Sequence, residues 1–133
     1  MTNASLTQPL QSNQKDPAAS EVSATRNRVQ ALLDLGLEAE ELAGAFGVKS
    51  STTIRNWANG DASPRRAGVR TADDLRRTVL LLDEAGIKGE DAAQWLRSRQ
   101  GGVLANDRPL DVILDDPVRV LAAANALSEP QSA

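Results

Sequence analysis

Four hydrogen-bonding side chains, Ser51, Thr52, Arg55 and Asn56, crowd a nine-residue stretch that ends at Asn59. On a helix they share one face, while Ile54 and Trp57, three apart, turn to the other and are predicted to be buried. Each of the four can bond a base edge or a phosphate. Arg55 has the fork that matches guanine and Asn56 the amide that matches adenine, each worth roughly 1–3 kcal/mol of discrimination when bidentate. Lys49, Arg65 and Arg66 flank this stretch, where phosphates would run, and would add salt-dependent affinity rather than sequence preference. The chemistry implied is recognition of a DNA duplex. The same pattern also suits a helical hairpin that only packs or dimerises.

Such a face needs elements to hold it. The segment Glu40 to Gly60 supplies a small-residue helix, a turn and a second helix, the order of a helix-turn-helix. Ala43 and Gly44 are small enough for close approach of two helices, and Gly47 can take the left-handed backbone that ends the first. Ser50 or Ser51 can cap the second. Between Gly47 and Trp57 the chain has one residue more than the usual pattern, which predicts a remodelled turn at Val48 to Thr52.

Composition narrows the classes further. Hydrophobic residues are 41% of 133, aromatics only 2%, so Phe46, Trp57 and Trp95 are the large anchors of a core otherwise built from Leu, Val, Ile and Ala. That balance predicts an all-α protein. There is no cysteine and no histidine. Disulfides and thiolate or imidazole metal sites are thereby excluded, and the two commonest side chains of nucleophilic and proton-transfer chemistry are missing. No catalytic residues, metal or cofactor are expected. No apolar run approaches the roughly 20 residues of a membrane helix, so the chain reads as soluble and cytoplasmic.

The net charge of −3 is unevenly spread. Lys49 to Arg77 holds seven basic residues and three acids, a balance of 7 − 3 = +4, whereas Asp107 onward holds two and five, 2 − 5 = −3. A basic middle and an acidic end suggest two surfaces with different partners. The acids of the end also suit plain solvation of helix faces.

Periodicity divides the chain into residues 1–24, a polar disordered tail; 25–86, a helix-turn-helix domain; 87–128, a second small helical domain; and 129–133, a frayed end. Thr25 is expected to cap a first helix with Val29, Leu32 and Leu33 inward, and Thr71 to cap the longest helix, with Asp73 and Asp74 in its first turn. Asp61 to Val69 reads as a loop. Leu75, Val79 and Leu82 mark one buried face; Ala92, Trp95 and Leu96 another. Pro109 and the pair Asp116-Pro117 open two further helices, the last with Val120, Leu121, Ala124 and Leu127 inward and the first containing Leu110, Val112, Ile113 and Leu114.

The segment from Ala92 to Leu127 carries Trp95-Leu96, then Leu104, then Arg108-Pro109-Leu110-Asp111 with Ile113-Leu114, and a closing amphipathic helix from Val118. It resembles the C-terminal toxin-binding domain of the Xre/MbcA/ParS antitoxins, which pair with RES-domain toxins. With the Xre-like helix-turn-helix upstream, the resemblance covers about Arg26 to Leu127. It implies a non-enzymatic antitoxin that neutralises an NAD-consuming toxin through its C-terminal region and represses its own operon by binding operator DNA, most simply as a homo-oligomer. Arg97, Arg99, Arg108, Asp111 and Arg119 are the candidates for contact with the toxin. Two other readings fit the same residues: a phage or prophage repressor with no toxin partner, and a protein-binding inhibitor or adaptor with a vestigial helix-turn-helix.

Overall fold

The computed structural model describes residues 17–128, with side chains from residue 23 onward. The tails 1–16 and 129–133 lie outside the described residues. The architecture is all-α: seven α-helices stand among the described residues, α1 (Pro17–Leu35), α2 (Ala39–Phe46), α3 (Ser51–Asn59), α4 (Arg66–Glu84), α5 (Glu90–Arg97), α6 (Pro109–Val112) and α7 (Pro117–Ala126). A 3-10 turn at Gly102–Leu104 separates α5 from α6, and the only β-type pairing described is an isolated Gln100–Asp107 bridge. No described helix is long and apolar enough to cross a membrane.

Two helix starts differ from the sequence expectation. Helix α1 begins at Pro17, eight residues before Thr25, so part of the expected tail is helical. Proline fits a first helical turn, where its missing N–H leaves no bond unmade. Thr25 lies inside the helix, fully buried, and its Oγ1 has no hydrogen-bond partner. Helix α4 likewise begins at Arg66 instead of Thr71, taking in the last four residues of the expected loop. Its Gly68 is buried against the turn that precedes it: a Cβ there would meet Pro64 Cβ at 2.8 Å and the Trp57 ring at 3.3 Å. Glycine is in this helix for want of space. Thr71 is therefore a buried mid-helix residue, and Asp73 sits beyond the first turn. Asp73 instead receives Arg28 from α1 at 3.4 Å and Arg76 and Arg77 from its own helix at 3.2 and 3.1 Å.

One hydrophobic cluster runs from Val29 to Ala124. It includes Leu32, Leu42, Ile54 and Leu75 from the first half, and Leu96, Leu104, Ile113 and Val120 from the second. The core thus crosses the boundary drawn at residue 86: α7 packs along α4, and α6 lies against α2. Phe46 and Trp57 meet edge to face with ring centres 5.4 Å apart, joining α2 to α3. Leu127, expected inward, is 44% exposed because it falls past the end of α7, and Leu114, expected within the helix that Pro109 opens, lies beyond its end at Val112 and is 39% exposed. Gly44 is exposed with open space where a Cβ would stand, so Ala43 alone makes the close approach expected of the pair.

Candidate nucleic-acid interface

The α2–α3 pair is built from caps at every end. Glu41 Oε1 accepts the backbone N–H of Glu38 at 2.9 Å, opening α2. Gly47, at φ 71°, closes it: its own N–H and that of Val48 reach back to the carbonyls of Gly44 and Ala43 at 3.2 and 2.9 Å. Left-handed backbone of this kind is where glycine is preferred. Val48, Lys49 and Ser50 then form the turn, and the extended Ser50 caps α3 by accepting Thr52 N–H at 3.0 Å. Gly60, at φ 83°, ends α3 as Gly47 ends α2, with the N–H of Asp61 on the Asn56 carbonyl at 2.8 Å.

The caps fix which face of α3 looks outward. Ile54 and Trp57 are buried, as their spacing predicts. Thr52 and Arg55 are exposed, and Ser51 and Asn56 are half-buried at the edges of the same face. Lys49 projects from the turn, and Arg65 and Arg66 from the start of α4; all three are exposed and make no ion pair among the described residues. All seven residues singled out from sequence are thus at least partly accessible around one helix and its two flanks.

Two neighbours were not evident from the sequence. Arg55 does not stand free: its guanidinium donates to Ser51 Oγ at 3.1 Å and pairs with Glu40 of α2 at 3.5 Å. Glu40 is thus an anion on the cationic face, placed there by helix packing that no local spacing reveals. Arg26 of α1 lies over Gly60, its Nη1 only 3.0 Å from the position a Cβ would take. A cation at a helix C-terminus is favoured by the helix dipole. It adds a fourth exposed cation to Lys49, Arg65 and Arg66.

The five C-terminal candidates separate into two groups. Arg97 is engaged inside the fold, donating through Nε and one terminal nitrogen to the two Glu41 oxygens at 2.9 and 3.0 Å, and to the Gly36 carbonyl at 2.9 Å. This forked pairing clamps α5 to the start of α2. The Arg97 bonds hold the Glu41 carboxyl below the usual glutamate range, against the opposing pull of partial burial, with the Glu38 N–H assisting. The same bonds raise Arg97. Arg119 is engaged too, donating to the Val103 and Leu104 carbonyls at 3.2 and 2.9 Å and pairing with Asp107 at 3.4 Å. Both arginines are tied into the fold by these bonds and remain partly exposed. Arg99 donates to the Asn106 carbonyl at 3.1 Å yet remains exposed. Arg108 and Asp111, either side of the start of α6, are exposed.

No protein-family model, curated protein or solved structure matches this chain.

Proposed function

We propose that this chain is a DNA-binding transcriptional regulator whose α3 enters the major groove of an operator. The observation that carries the reading is the outward face of α3. Thr52, Arg55 and Asn56 look away from a helix anchored by Ile54 and Trp57, with unpaired Lys49, Arg65 and Arg66 on its flanks. In a helix-turn-helix the first helix braces the second against the backbone, and what supports that part for α2 is its packing against α3. Arg55 and Asn56 read bases; the flanking cations, with Arg26, neutralise phosphates. The chain's overall acidity does not oppose this, because Lys49, Arg55, Arg65 and Arg66, with Arg26, give α3 and its flanks a local excess of positive charge.

The test is selection of bound duplexes from a random pool, followed by a salt titration. The expected result is one enriched motif and an affinity that falls steeply with salt. The Arg55→Ala, Asn56→Ala pair abolishes the motif preference, while Lys49→Ala weakens all sequences alike. Failure to retain any duplex at low salt overturns the proposal.

The antitoxin reading extends this proposal. What supports it is the resemblance of Ala92 to Leu127 to toxin-binding domains, with Arg99, Arg108 and Asp111 exposed on that segment. It assigns the chain no reaction of its own, only occlusion of a RES-type toxin. Co-expression with the adjacent reading frame tests it: relief of growth arrest and co-purification are expected. Arg108→Glu with Asp111→Arg should abolish both without disturbing the DNA motif.

A further inference from the structure

Helix α4 carries an apolar ridge with a groove on each side. Leu80, 49% exposed, lines both: a cavity of about 440 Å³ against α1, shared with Leu32, Leu35 and Val79, and one of about 600 Å³ against α7, shared with Leu81 and the 72%-exposed Val118. The charges around this ridge are ordered. Arg76 and Arg77 precede Leu80 by four and three residues; Asp83 and Glu84 follow it by three and four. At about 100° per residue all four fall within about 60° of Leu80 on the same face.

That order is self-complementary. A twofold axis through Leu80, relating two antiparallel copies of α4, brings Arg77 opposite Glu84 of the other copy and Arg76 opposite Asp83 of the other copy. The lateral positions agree as well as the axial ones: Arg77 and Glu84 both lie on the α7 side, and both line the groove there. In a parallel pairing, by contrast, like charges would meet. An isologous contact requires this kind of arrangement, in which residue i meets j and j meets i.

We infer that the Leu80 face of α4 is a homodimer interface, in which α4 packs antiparallel on α4 of a second copy. Leu80 of each chain enters the apolar groove beside Leu80 of the other, and four ion pairs surround the axis. The inference stands apart from the DNA reading, because its test needs no nucleic acid.

Sedimentation equilibrium on the full chain tests it, with circular dichroism to check that each variant is folded. The wild type is expected to be dimeric in the micromolar range. Arg76→Glu with Arg77→Glu makes these four positions all acidic, and Asp83→Arg with Glu84→Arg makes them all basic. Each variant alone should self-associate at least about tenfold more weakly, since four attractive pairs become repulsive. Mixed in equal amounts, the two should form a heterodimer with affinity restored. In the acidic variant Asp73 keeps its contact with Arg28. Leu80→Glu, which places two like charges at the axis, should dissociate the dimer with both arginines intact. A monomeric wild type, a dimer indifferent to these changes, or a mixture that does not pair would each overturn the inference.

Discussion

Arg97 and Glu41 lie 56 residues apart in the chain, yet their forked pairing joins α5 to the start of α2. Hydrogen bonds to charged groups are worth about 1.5–3 kcal/mol, whereas fully exposed ion pairs give about 0.2–1. Both side chains here are less than a third exposed, at 29% and 28%, and the geometry is bidentate. A coupling of about 1–2 kcal/mol is therefore expected from a double-mutant cycle of Arg97→Met, Glu41→Gln and the pair, followed by urea unfolding at neutral pH. Arg97→Met alone should cost more, about 2–3 kcal/mol, because the Gly36 carbonyl also loses its donor and Glu41 stays partly buried with only the Glu38 N–H against its charge. The pH dependence follows from the direction of the Glu41 shift. Its carboxyl is held below its unfolded value, so the contribution is complete above that unfolded value and is lost as pH falls through the folded one. Acid unfolding of the wild type should therefore begin at higher stability and converge with Glu41→Gln at low pH. A coupling within about 0.3 kcal/mol of zero, or one unchanged in acid, refutes the account of this pair.

Glu40→Gln removes the anion that holds Arg55. Since the pair is exposed, the affinity for duplex DNA should rise by roughly 1.4- to 5-fold in fluorescence anisotropy, and unchanged or weaker binding counts against the interface. Gly68→Ala drives a methyl toward Pro64 and the Trp57 ring; overpacking of about 1–3 kcal/mol less about 1 for helix propensity leaves a net loss of about 0–2, read by chemical denaturation with a shift in indole emission, and a net gain in stability counts against the close packing. Thr25→Val replaces an unbonded buried hydroxyl with a methyl of the same shape, and should raise the melting temperature by about 3–5 °C; a lowered value would mean the hydroxyl has a role in the fold.

The parts of the fold legible in the sequence are those with local causes. Gly47, Ser50 and Gly60 mark α2 and α3 because capping is decided within a few residues, and the inward turn of Ile54 and Trp57 follows from helical spacing alone. The early start of α1 was also within reach. Asp16-Pro17 repeats the Asp116-Pro117 pattern, within a stretch whose polar composition reads as tail. Gly68 is a different matter. A glycine after a proline reads locally as loop, and only the Trp57 ring against it explains why it is helical. The candidate site divides in the same way. Exposure of Thr52 and Arg55 came from periodicity, whereas the engagement of Arg97 and Arg119, and the approach of Glu40 and Arg26, arise from distant segments that sequence spacing does not bring together.

The continuity of the core from Val29 to Ala124 bears on how the two ends of the chain communicate. Removing everything after Gln100 would take Leu104, Leu110, Ile113 and Val120 out of the interior on which α2 and α4 rest, so the segments cannot be separated and studied as parts. Linkage supplies the positive side of the same fact. A ligand that binds only the folded form, wherever it docks, stabilises every helix sharing that interior, by about 2.7 kcal/mol at a hundredfold excess over its Kd. Occupancy of the α6–α7 end is then felt at α3 as resistance to opening and to proteolysis, with no moving part between them.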